Sequence, residues 1–221
     1  MSSVLLRAES VCLKYMDHGR PIHAVQDVSL DVHAGEFLGI LGPSGSGKSS
    51  LLYLLSGMRT PTRGKVLYRG EELARKNDTE RAQIRLDEFG FVFQLPHLIG
   101  YLSALENVAA GCPDRDITTE AARLLSELGM DGMQHRRPHE LSGGQKQRVC
   151  VARALAGGRK IIFADEPTAA LDHKTGLSVV DSLIRNRGEG AIVMVTHDPS
   201  MLEEADRIIR LEDGRIAESG E

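Results

Sequence analysis

The stretch "GPSGSGKSS", Gly42 to Ser50, sets one lysine among three glycines and four serines. Gly42, Gly47, Lys48 and Ser49 hold the fixed places of G-x-x-x-x-G-K-[ST]; Pro43, Ser44, Gly45 and Ser46 fill the variable ones, and Ser50 follows. Side chains this small contribute little to a core. Glycines do let successive backbone N–H groups converge on one point, and a helix starting there adds its unpaired amides and the positive end of its dipole. That geometry is a phosphate pocket, with Lys48 neutralising the β- and γ-phosphates of a nucleotide and the Ser49 hydroxyl reaching Mg2+.

A metal at such a site needs a carboxylate. "IIFADE" carries Asp165 at the end of an apolar run, where open α/β sheets place their ligands, so Asp165 is expected to hold Mg2+ through water. Glu166 follows it and, pointing differently, is placed to polarise an attacking water as general base. A third feature is "LSGGQKQR", Leu141 to Arg148: Ser142 is a good N-cap, and Gly143 and Gly144 expose the amides of a second helix start. One nucleotide does not require two such ends from one subunit.

The elements that must position these residues are legible in outline. "VLLRAESVCLKYM" and "AVQDVSLDV" alternate apolar and polar positions and predict an antiparallel β-layer over the first 35 residues. "EFLGIL" predicts a buried strand directly before the glycine-rich loop, and "SLLYLLSGM" a helix directly after it. "GKVLYRG" predicts a strand, and residues from about 87 to 157 are expected to form an inserted helical subdomain, with "TTEAARLLSELG" its clearest helix. "KIIFADE" and "AIVMVTH" predict buried strands flanking the helix "TGLSVVDSLIRNRG", and "RIIRLEDGRIAESG" a terminal hairpin. Alternating strands and helices imply a mainly parallel sheet in an α/β domain spanning residues 1–221.

Composition narrows the function classes. Of 221 residues 41% are hydrophobic and 26% charged, ordinary for a globular chain, and the net charge of -4 argues against a large nucleic-acid face. Cys12, Cys112 and Cys150 lack metal-ligand spacing, so no metal cluster is expected and the thiols read as reduced and incidental. No apolar run reaches about 18 residues and the first ten do not read as a signal peptide, so a role at a membrane requires a span from another chain.

With Leu141, Ser142, Gly143, Gly144 and Gln145 reading LSGGQ, the chain resembles the ATP-binding-cassette (ABC) ATPase family over nearly its whole length. The resemblance implies a P-loop, RecA-like core, ATP and Mg2+ as cofactors, and further roles for matching positions. Tyr15 in "LKYM" matches the aromatic that stacks on adenine. Gln94 in "GFVFQ" matches the glutamine that contacts Mg2+ and water. Ala170, Leu171 and Asp172 match the loop linking the two sites of a dimer, and His197 in "VMVTHD" matches the histidine that contacts the γ-phosphate. It also implies a head-to-tail pair of cassettes, here a homodimer, with ATP between the P-loop of one and LSGGQ of the other, working on transmembrane permease subunits at the cytoplasmic face. "GFVFQ" and "ADEPTAALDHKTG" look most like the macrolide-export, lipoprotein-release and glycolipid-exporter group, which implies export or extraction of a lipophilic substrate. The alternative from a different class is a non-transport cassette regulating a membrane protein in cell division.

Overall fold

The structure, a computed structural model, describes residues 3–17 and 20–217. In chain order its elements are β1 (Val4–Asp17), β2 (Arg20–His33), β3 (Phe37–Leu41), α1 (Lys48–Leu55), β4 (Arg63–Tyr68), β5 (Glu71–Glu72) and α2 (Asp78–Glu88). Next come β6 (Phe89–Val92), α3 (Ala104–Ala109), α4 (Thr118–Glu127), α5 (Gly143–Leu155), β7 (Ile161–Asp165), α6 (His173–Asn186), β8 (Ala191–Thr196), β9 (Arg207–Glu212) and β10 (Arg215–Ile216). The chain forms two compact units, Met1–Arg85 with Val193–Glu221, and Leu86–Ile192. β8 passes from the second to the first.

In the first unit, β2, β1, β4 and β5 form an antiparallel sheet in that order. The alternation of β1 and β2 has its physical cause here: Leu6, Ala8, Val11 and Leu13 are buried, and so are Val25, Val28, Leu30 and Val32. The same unit holds β3 running parallel to β9, with β10 closing an antiparallel hairpin on β9 through the left-handed Asp213 and Gly214. β3 is apolar without alternation because both its faces are covered, Phe37, Leu38 and Ile40 being wholly buried. Gly39 sits where an added Cβ would come within 2.8 Å of the Leu202 side chain.

In the second unit, the segment expected to be helical from about residue 87 opens on a strand. β6 pairs in parallel with β7, Phe89 opposite Ile161 and Val92 opposite Ala164. The reason is steric and apolar: Phe89, Phe91 and Phe163 form a ring cluster with centroids 5.2–6.5 Å apart, and Gly90 lets the Ala154 carbonyl of α5 approach to 2.2 Å from where a Cβ would stand. Helices α3, α4 and α5 then pack together. Ala121, Leu124 and Leu125 of α4 are buried, as the 3.6-residue spacing requires.

Candidate functional site

The glycine-rich loop joins β3 to α1, the order the sequence implies. Its first helical residue, Lys48, is 6% exposed, and its Nζ donates to the carbonyls of Gly42 at 2.8 Å and Pro43 at 2.9 Å. The ammonium is therefore held inside the arch of its own loop. Gly47 caps α1 in the left-handed region at φ 97°, no side chain accepts from the helix start, and the first turn has no acidic residue. The amides at this end are left for an anion.

The glycines serve a second purpose beyond clearing that space. A Cβ on Gly42 would stand 2.2 Å from the Leu211 carbonyl of β9, and one on Gly47 would stand 2.0 Å from the Ala24 carbonyl of β2. Gly45, at φ 82°, meets nothing within 4 Å. Two of the three glycines are thus demanded by neighbouring backbone, and one by its dihedral alone. Gly214 adds a brace that no motif signals: its N–H donates to the Ser46 carbonyl at 2.9 Å, and its carbonyl accepts from Gln26 N–H at 2.7 Å. Only the Asp-Gly turn signature hints at it. Tyr15, half-buried on β1, brings its hydroxyl to 3.5 Å from Ser50 Oγ on α1, so the aromatic lies beside the phosphate loop. Ser49 is half-buried in the first turn of α1, and exposed His197 directly follows β8.

In the second unit, Asp165 ends β7 at 5% exposure, and Glu166 turns away into the left-handed region at φ 47°. A non-glycine residue held there costs of order 1–3 kcal/mol, a feature that concentrates at functional sites. The two carboxylates are separated by this turn, one in the strand end and one beyond it. Exposed Gln94 follows β6.

LSGGQ forms the start of α5. Ser142 Oγ accepts from Gln145 N–H at 3.3 Å while Gln145 Oε1 accepts from Ser142 N–H at 2.9 Å, a capping box. Gln145 is thereby committed to the cap, and the amides of Gly143 and Gly144 present the open end. Leu141 is buried, and Gly143 has open space around it. A Cβ on Gly144 would come 3.0 Å from Leu171 Cδ2, so the loop Ala170 to Asp172 closes over the signature turn. Asp172 caps α6, accepting from Thr175 N–H and Oγ1–H, and the Thr175 hydroxyl holds its carboxylate below the usual range.

A family model described as ABC transporter matches residues 25–169. The macrolide export ATP-binding/permease protein MacB of Bradyrhizobium diazoefficiens is 41% identical over 98% of this chain, which spans only 34% of that protein's length. An uncharacterized ABC transporter ATP-binding protein of Thermotoga maritima is 45% identical over 88% of this chain and 86% of its own. Among solved structures, the dimeric cassette MJ0796 superposes with a TM-score of 0.89 at 36% identity, covering 96% of this chain and 97% of its own; the same figures hold for its post-hydrolysis state bound to ADP and Pi. With its phosphate loop between strand and helix, its LSGGQ helix start and these likenesses together, the chain belongs to the ABC transporter family, as an ATP-hydrolysing cassette.

Proposed function

We propose that two copies of this chain close head to tail around ATP, each nucleotide lying between the P-loop of one copy and the LSGGQ turn of the other. The observation that carries this reading is the presence in one chain of two helix starts, at Lys48 and at Gly143, neither with an acidic residue in its first turn. Both suit phosphate, and a single copy needs only one. The solved MJ0796 cassette, 36% identical, is dimeric, which supports the arrangement.

Within each site Lys48 and the amides from Gly45 to Ser50 neutralise the phosphates, Tyr15 faces the base, and the second copy's Ser142 to Gly144 close over the γ-phosphate. Ser49, Gln94 and Asp165 would supply the hydroxyl, amide and carboxylate oxygens that a hard cation such as Mg2+ takes. When bound there, Mg2+ would offset the charge that builds on the phosphate oxygens. Glu166 accepts the proton of the attacking water as the bond from the γ-phosphorus to its bridging oxygen breaks and ADP leaves. His197 orients the γ-phosphate, and Ala170 to Asp172 reports one site to the other.

Closing and opening of the pair drives a transmembrane permease, with the chain held at the cytoplasmic face. No described helix is long and apolar enough to cross a membrane. The docking surface is the segment from Phe93 to Val108, where Leu95 and Tyr101 are 67% and 76% exposed although Ala104 and Val108 are buried. The substrate class, exported or extracted lipophilic molecules, rests on relatives named for macrolide export. The domain reads as one cassette with an inserted helical subdomain over about 87–157.

The test is size-exclusion chromatography with ATP. Glu166→Gln retains ATP and elutes as a dimer, whereas Lys48→Ala stays monomeric and loses turnover. A Glu166→Gln protein that remains monomeric yet hydrolyses at the normal rate overturns the sandwich.

A further inference from the structure

The outer face of the antiparallel sheet carries two different kinds of charge arrangement. At one end cations are matched across strands: Arg7 on β1 binds Asp31 on β2 through two guanidinium nitrogens, and Lys65 on β4 pairs with Glu9 on β1 at 3.0 Å. At the other end they are not. Lys14 on β1 stands directly opposite His23 on β2, and Cys12 opposite Arg63 on β4. Arg215 on β10 joins them through a 3.3 Å bond to Gln26. Among the described residues Lys14, His23 and Arg63 make no ion pair.

Register shifts on β1 and the left-handed Asp27, whose N–H donates to Cys12 Sγ at 3.3 Å, dish the sheet here into a groove of about 620 Å³. Three permanent cations and a histidine line it against one carboxylate, Asp27. In a chain of net charge -4, three cations gathered from two strands and a hairpin into one concavity create a local positive field.

We propose that this groove is an anion site separate from the P-loop, taking a ligand that bears two or more phosphate groups. The spread of Lys14, Arg63 and Arg215 over different strands suits several phosphates rather than one. Gln26 and Thr62 add neutral hydrogen-bonding groups at the rim.

The probe is inorganic tripolyphosphate titrated calorimetrically into the full chain saturated with ADP, which keeps the P-loop occupied. Binding is expected, weakening steeply with salt. Lys14→Glu/Arg63→Glu should raise the dissociation constant at least tenfold, while the control Lys160→Glu/Arg136→Glu, an equal charge change on exposed residues of the other unit, should leave it within twofold. The Lys14→Ala/Arg63→Ala pair repeats the test if the reversal perturbs folding. Sedimentation with vesicles of anionic against zwitterionic phospholipid separates a lipid source from a soluble one: charge-dependent vesicle binding assigns the phosphates to lipid, and tripolyphosphate binding alone assigns them to a soluble polyanion. No binding of either probe, or equal weakening by groove and control variants, overturns the proposal.

Discussion

The three glycines of the phosphate loop look equivalent in sequence and are not. Gly45 needs only its φ of 82°, so Gly45→Ala is expected to cost about 1–2 kcal/mol from the left-handed conformation. Gly42→Ala drives a Cβ to 2.2 Å from the Leu211 carbonyl, which must displace either the loop or β9, and a loss of about 2–4 kcal/mol follows. Urea unfolding of the two variants measures the difference, and equal midpoints would contradict the packing role of Gly42. Cys150 illustrates the same dependence on surroundings. Burial pushes its thiol up to about 11 and Arg153 only partly opposes this, so the thiol resists alkylation at neutral pH until the chain is unfolded.

At the scale of elements, the segment proposed above to dock a permease depends on one buried side chain. Asn107 of α3 accepts from Ile99 N–H at 2.7 Å and donates to the carbonyls of Ile99, Leu102 and Ser103 at 3.0–3.1 Å. It is wholly buried. These bonds tie the non-helical stretch before α3 onto the helix, whose own start is fixed by the Ser103–Glu106 capping box. Asn107→Ala leaves several backbone groups without partners and is expected to cost about 2–3 kcal/mol in thermal or urea unfolding. Asn107→Leu should be no better, since shape is not what the site would lack. An unchanged melting curve would show that the tether carries no weight.

For the whole molecule, acid is the revealing variable. Asp31 beside Arg7, Glu106 and Asp116 accepting backbone amides from Ser103 and Thr118, and Asp172 bonded to Thr175 are all held below the ordinary carboxylate range. A carboxylate whose pKa is depressed by folding adds stability above its unfolded value, near 4, and that contribution is lost as pH falls through the lower folded values. The urea midpoint should therefore fall progressively below about pH 4. A midpoint independent of pH from 5 to 3 would contradict the assignment.

Much of this protein is determined by local sequence. The strand, glycine loop and helix from Phe37 to Leu55, the buried strand ending at Asp165, the Ser142 cap and the terminal hairpin each follow from periodicity, capping residues or turn chemistry confined to a few neighbours. Short elements are less legible: β6 has only four residues, too few for its period to show, and α3 is announced by little more than S-x-x-E. Contacts between distant segments are invisible to such local patterns. Gly42 answers to Leu211, Gly47 to Ala24, Gly90 to Ala154, and the phosphate loop is braced by Gly214. The physical reason is that close backbone approach and cross-strand charge depend on register between strands far apart in sequence, which no local pattern carries.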